Sequence, residues 1–230
     1  MGKREDNRED RRQRIVAAAR ELMQRRASAG FSMRALAELA GVSSATPYAL
    51  FGSKQAIIAA VMDTDFDEFA HALKRTPAEG LDLFFQVIEV SQALFERNPG
   101  YFRTGAQALQ ATADKALAAH FGLPRHGLLR DLVRESIQRG DISHRVDADS
   151  LALHLGQQFY GWIQAWARED ITATEMTARA AYGFALTLAA VASDEHRERL
   201  SDLAFTTQQT LPEAAAFSAR GESQAKEMTV

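Results

Sequence analysis

The chain has 230 residues, 46% of them hydrophobic, and a formal net charge of -3, which is enough apolar material for one large core or two smaller ones. It contains no cysteine, which excludes disulfide scaffolds, thiolate metal sites and cysteine nucleophiles. The charge is uneven, with 11 Lys and Arg against 6 Asp and Glu in residues 1–54 and 16 against 24 in the rest, so a basic head suited to a polyanion sits on an acidic body.

Apolar residues recur at helical spacing almost throughout. Ile15, Ala18, Ala19 and Leu22 mark one helix face, and Gly30 is placed to end that helix. Met33, Leu36, Ala37 and Ala40 repeat the spacing behind Ser32, which reads as an N-cap. Gly41 stops this second helix. Ser43 or Ser44 caps a short third helix that ends near Gly52. Ser53 caps a fourth, whose apolar face is Ile57, Val61, Met62, Phe66, Phe69 and Leu73.

A fifth helix is predicted over Pro77–Arg97. Asn98-Pro99-Gly100 is a turn signal, followed by a helix from Tyr101 to about Thr112. Gly122-Leu123-Pro124 restarts the chain into a helix that ends near Gly140. Asp149–Arg168 and Thr172–Ala192 are two further long helices. No strand alternation and no solenoid repeat is present, so the expected fold is all-α. The expected division is 1–54 for a helix-turn-helix domain (the motif at about 31–51), 55–212 for a larger helical bundle, and 213–230 for a disordered tail.

The informative stretch runs from Phe31 to Lys54. Two short helices joined by a glycine turn form a helix-turn-helix. Gly41 lets the chain reverse tightly, Val42 plugs the gap between the helices, and Phe51 anchors the small core. The third helix opens on Ser43, Ser44 and Thr46, small polar groups that reach base edges and phosphates when such a helix enters a major groove. The basic run Lys3, Arg4, Arg8, Arg11, Arg12 and Arg14 reads equally as a DNA-contacting arm or as a solvated tail.

Residues 11–58 resemble the tetracycline-repressor (TetR) family of bacterial regulators. The resemblance rests on Ile15, Ala18-Ala19, Leu36-Ala37, Gly41-Val42-Ser43, Thr46, Tyr48, Phe51, Ser53 and Lys54. It implies that Thr46, Tyr48 and Lys54 sit on phosphates and that Ser43, Ser44, Ala45 and Pro47 face the groove. Ser32 and Arg34 complete the candidate DNA-contacting set, although Arg34 reads slightly better as a solvated helix residue. Ala45, Pro47 and Leu50 stand where the family often has glycine, an apolar residue and histidine. These departures bear on base preference more than on DNA binding itself.

The resemblance also implies a ligand cavity among Phe66, Phe69, Phe84, Phe85, Ile88, Gln92, Phe95, Phe102 and Gln107. Without it, aromatic residues at helical spacing read as plain core. It further implies that the last two long helices pair with a second copy through Leu151, Leu155, Phe159, Trp162, Trp166, Ala180, Gly183, Phe184 and Thr187. The expected partners are therefore a palindromic double-stranded operator, a small and largely apolar effector, and a second copy of the chain. The expected mode is repression relieved by the effector. The competing reading is a helical ligand-binding or scaffold protein whose helix-turn-helix does not read DNA.

The six histidines form no zinc pattern, and no nucleotide-binding or nucleophile-elbow motif is present. No enzymatic activity, cofactor or metal is expected. Met1–Asp6 is too charged to open a signal peptide. The longest low-polarity run, Ala181–Ala192, is shorter than the ~20 residues that span a bilayer, so the chain reads as cytoplasmic with no membrane partner.

Overall fold

The computed structural model describes residues 3–25, 31–110 and 115–212, with side chains omitted at 3–4, 109 and 115–126. Gly30 and the tail from 213 lie outside the described residues. Ten helices are described: α1 (Lys3–Arg25), α2 (Met33–Leu39), α3 (Thr46–Phe51), α4 (Lys54–Leu73), α5 (Asp82–Arg97), α6 (Pro99–Gln110), α7 (Lys115–Arg139), α8 (Ala148–Ala167), α9 (Ala173–Val191) and α10 (Asp194–Thr210). An isolated antiparallel bridge, Ile142 to Ala192, is the β pairing among the described residues. The fold is all-α, with an N-terminal helix-turn-helix domain and a C-terminal helical domain.

Two compact units divide the chain, Met1–His71 with Arg97–Leu123 and Ala72–Glu96 with Pro124–Val230. The first, here called the head, extends past residue 54 and takes in most of α4 together with α6. Its core joins Ile15, Ala18, Ala19 and Met23 of α1 to Leu36 and Ala40, then to Ile57, Ile58, Val61 and Met62 of α4 and Tyr101 of α6. Met23 is fully buried, whereas Leu22 is packed at the edge of the cluster. The inward stripe thus turns slightly along α1, as a 3.6-residue period requires.

A polar clamp crosses this head. The Arg20 guanidinium pairs with Asp65 and, at 3.0 Å, with Glu68, and the Tyr101 hydroxyl donates to the other Asp65 oxygen. Burial works against the Arg20 charge, but Asp65 and Glu68 outweigh it. Burial, and then the bond to Asp65, keeps the Tyr101 phenol protonated. A carboxylate taken out of water needs such partners, because an unpaired buried charge is costly. The clamp ties α1, α4 and α6 at one point.

The second unit, the body, is built on long helices. α9 packs against both α8 and α10. Leu155, Met176, Ala180, Phe184 and Leu188 are fully buried, and Phe159 meets Phe184 edge to face at 6.2 Å. Thr172 and Glu175 form a reciprocal capping box at the start of α9, satisfying two orphan donors. The α7–α8 loop is stitched to the α9–α10 junction, with Ser143 N donating to the Val191 carbonyl at 2.9 Å and Ser193 N to the Asp141 carbonyl at 2.9 Å.

Several local expectations are corrected. The fifth helix starts at Asp82, not Pro77, because Gly80 adopts a φ of 57° that no helix continues through. Asn98 is a cap as much as a turn residue, its Oδ1 accepting from Tyr101 N at 3.2 Å so that α6 begins at once. α7 runs through residues 122–124 without restarting, since one missing proline donor is a local defect in a long helix. α10 was not foreseen. It buries only Leu200 and Ala204 of its own length, too thin a stripe to stand out among polar residues.

Candidate nucleic-acid interface

The helix-turn-helix is assembled by caps and two left-handed glycines. Ser32 Oγ accepts from Ala35 N at 3.1 Å to start α2. Gly41 and Gly52 take φ of 65° and 79°, a region that costs a side-chain-bearing residue about 1 kcal/mol. Val42 N reaches the Ala37 carbonyl at 3.0 Å, and Val42 packs at the edge of the head core, as does Phe51. Ser53 Oγ then accepts from Ala56 N at 3.1 Å to open α4.

α3 differs from expectation at its start. Its cap residue is Ala45, with no side-chain cap. Ser43 Oγ instead shares a 2.8 Å hydrogen bond with Thr46 Oγ1, while Thr46 N donates to the Ser43 carbonyl at 2.9 Å. The end of α3 is held from outside. Arg12 Nη1 donates to the Leu50 carbonyl at 2.9 Å, and its guanidinium lies 4.3 Å from the Phe51 ring centroid. Arg14 Nη1 does the same for α2, at the Ala40 carbonyl, 3.2 Å away. A cation at a helix C-terminus satisfies an orphan carbonyl and opposes the dipole. The sequence alone places both arginines in an arm or a tail, whereas the fold uses them inside the head.

The candidate DNA-contacting residues keep surface open with one exception. Ser43, Ser44, Ala45 and Tyr48 are exposed, Thr46 and Lys54 are half-buried, and Ser32 is exposed beside its cap bond. Tyr48 keeps 53% of its surface open. Lys54 Nζ stands 4.9 Å from the Phe31 ring centroid, a contact that orients the ammonium without neutralising it. Arg34 is paired to Glu38 at 3.0 Å along its own helix and is 85% exposed. Pro47 is the exception. It is buried, so its ring faces protein and not a groove, as its place between the caps of a six-residue helix dictates. The arrangement offers hydroxyls, one phenol and one ammonium, which is chemistry for phosphates and base edges.

The candidate ligand residues do not form one group. Phe66 and Phe69, stacked at 5.7 Å, lie in the head with Phe102, which meets Tyr101 edge-on at 4.9 Å, and with the exposed Gln107. Phe84, Ile88 and Phe95 are buried in the body, where Phe95 stacks on Trp166 at 4.9 Å. Gln92 accepts from Thr177 Oγ1 at 2.8 Å. Phe85 and Ile88 line an open groove of about 480 Å³ with Thr177, Ala181 and Leu203. One residue that periodicity could not flag stands out. Gln164, 5% exposed, has a side-chain amide with no hydrogen-bond partner among the described residues.

The candidate dimer stripe is turned inward. Leu151, Leu155, Phe159, Trp166, Ala180, Gly183 and Phe184 are all buried in the single chain. A Cβ on Gly183 would collide with the Gln158 side chain of α8, and Trp162 lies under the Arg179 guanidinium at 5.4 Å. Of the nine, Trp162 and Thr187 keep partial exposure. The larger apolar surfaces left open on these helices are Leu153, Tyr160 and Leu186. Among the described residues no helix is long and apolar enough to cross a membrane, and no cluster of His, Asp and Glu is arranged to hold a metal.

Comparison with known proteins adds a family match over the N-terminal residues and a fold. The model of the family described as bacterial regulatory proteins, tetR family, matches residues 15–61. No curated protein sequence matches the chain. Among solved structures, a TetR transcriptional regulator from Rhodococcus sp. RHA1 is 23% identical, with a TM-score of 0.64 over 79% of this chain and 97% of that one. FadR of Thermus thermophilus, solved with lauroyl-CoA, is 18% identical, with a TM-score of 0.66 over 77% and 93%. RolR, solved with resorcinol, is 17% identical, with a TM-score of 0.66 over 90% and 98%.

Proposed function

We propose that this chain, whose residues 15–61 match the family of bacterial regulatory proteins, tetR family, is a sequence-specific DNA-binding regulator that answers a small molecule. The observation that carries this reading is the exposed set of Ser43, Ser44, Tyr48 and the half-buried Lys54 around the Gly41 turn. Each is a hydrogen-bonding group, two in the turn before α3, one on α3 and one at the start of α4. Duplex DNA is the partner that such a surface fits.

The simplest mode is repression, with the effector shifting the population away from the DNA-bound state. The lauroyl-CoA and resorcinol in the two solved structures are ligands of those proteins and suggest an effector with a substantial apolar part. Gln164 supports a ligand with at least one polar group. An orphaned buried amide costs about 1–3 kcal/mol, and a hydrogen-bonding ligand would recover it. Two half-sites about 34–36 Å apart on a palindromic operator call for a second copy of the chain. Since the expected stripe is spent internally, the exposed Leu153, Tyr160 and Leu186 are the residues proposed to meet it.

Lys54→Ala tests the DNA reading. Duplexes enriched by the wild-type protein from a random library serve as probe. Removing one phosphate contact lowers the slope of log affinity against log salt by about 0.9, on enriched and random duplexes alike. An unchanged slope takes Lys54 out of the interface. For the dimer, Leu186→Glu produces monomers in sedimentation velocity, and an undiminished dimer moves the interface elsewhere.

A further inference from the structure

α1 carries charge in two stripes that continue different neighbours. Its inward stripe is apolar from Ile15 onward. Traced toward the N-terminus at the same spacing, that stripe meets Arg11, Arg8 and Asn7, four, seven and eight residues before Ile15. The acids Asp6, Glu9 and Asp10 fall off this face. Two of them are engaged along their own side, where Asp10 pairs with Arg14 at 3.2 Å and Glu9 accepts from Gln13 at 3.4 Å. So the stripe changes from apolar to cationic where it passes the core. An apolar stripe is made for protein, and a cationic one is made for an anion.

What lies opposite is α3. Asn7, Arg8 and Arg11 form one wall of an open groove of about 560 Å³, and Ser43, Thr46 and Ala49 contribute to the other. All three α1 residues are exposed, and among the described residues no carboxylate lines the groove. Arg11 Nε donates to the Asn7 carbonyl at 2.9 Å, which lays its guanidinium along the wall. Ser43 and Thr46 share one hydrogen bond, so one hydroxyl proton of the pair is left to donate outward. Ala49 is small enough to leave the floor open. Arginine forks, an amide and a hydroxyl facing one space are donors for phosphate oxygens.

We propose that this groove is a second DNA contact, a cradle in which Arg8, Arg11 and Asn7 hold the sugar-phosphate strand that flanks the bases facing α3. The inference rests on the DNA-reading function above and assigns the N-terminal half of α1 a part in it. A duplex lying on the exposed face of α3 brings one strand alongside the groove. Arg12 and Arg14 take no part, since both are bound to helix carbonyls of the head. Phosphate contacts fix register and carry no sequence information, so the cradle sets affinity and leaves base choice to α3.

The test uses the full-length protein, enriched and random duplexes, and anisotropy across a salt series. Arg8→Ala with Arg11→Ala lowers the salt slope by about 2 on both duplexes, so the wild-type advantage narrows about tenfold between 50 and 200 mM salt. The preference for the enriched duplex persists. Arg8→Lys with Arg11→Lys keeps the slope. Adding Asp6→Asn and Glu9→Gln to the alanine pair restores the wild-type net charge without restoring affinity. Recovery there would put the effect in the long-range field and overturn the cradle. Helicity is checked by circular dichroism, and if the alanine pair loses it, Arg8→Gln with Arg11→Gln takes its place. A folded variant with an unchanged slope overturns the cradle and leaves the DNA reading intact. A wild-type protein that enriches no duplex overturns both.

Discussion

The head and the body solve the same problem, packing helices, with different materials. The body has α8, α9 and α10 of 20, 19 and 17 residues, and their apolar faces suffice to hold them. The head must hold α2 and α3, of 7 and 6 residues, while leaving one side of each polar and exposed. Helices that short are unstable alone and have little area to bury. The head therefore spends charged and polar groups on its own structure: Arg12 and Arg14 on helix ends, Ser32 and Ser53 as caps, and Arg20 with Asp65 and Tyr101 as a clamp. A surface meant for a partner limits how much of an element can be buried, and directional bonds make up the difference.

That contrast can be broken at its strongest points. Phe184→Ala removes a fully buried ring from the body and should cost about 3–5 kcal/mol in urea unfolding. A loss under 1 kcal/mol would mean that the body is not held by this seam. Arg20→Ala leaves Asp65 buried without its cation. The cost should be about 2–3 kcal/mol, below the ~3–5 of a fully buried pair, because Arg20 retains 26% side-chain exposure. A variant as stable as wild type would reduce the clamp to an incidental contact.

The smallest effect is a slope with pH. Burial holds the Asp65 carboxyl above the usual carboxylate range, and the Tyr101 hydrogen bond and Arg20 pull against it without prevailing. A carboxyl raised in the folded state favours folding most below the ordinary carboxylate range, and that contribution is lost as pH rises through the raised value. The stability of wild type relative to Asp65→Asn should therefore improve on acidification from neutral pH, read from urea midpoints. The opposite slope would show that Arg20, not burial, governs the carboxyl.

Legibility in the sequence followed the strength of each local signal. The Ser32 cap, the Gly41 and Gly52 reversals, the Val42 plug and the start of α9 at Thr172 all depend on residues within four positions of one another. They were readable because caps and left-handed turns select residue types directly. The exposure of the candidate residues around α3 was readable for the same reason, except for Pro47, whose burial depends on what packs over it. α10 was missed because two buried residues carry its docking. The clamp was out of reach, since Arg20, Asp65 and Tyr101 are each ordinary surface types until three helices converge.

The sequence by itself determined that the protein is helical, where most helices lie, and that a helix-turn-helix opens it, because helix period, capping and glycine placement are local properties. Tertiary structure alone decided which side of each helix is spent. It turned Leu155, Phe159, Gly183 and Phe184 inward, divided the aromatic residues between head and body, left Gln164 buried without a partner among the described residues, and set Arg8 and Arg11 across a groove from α3. Periodicity marks a face as apolar or polar but does not say which neighbour it meets. That depends on contacts between residues distant in the chain, and it is there that the partners of this protein are chosen.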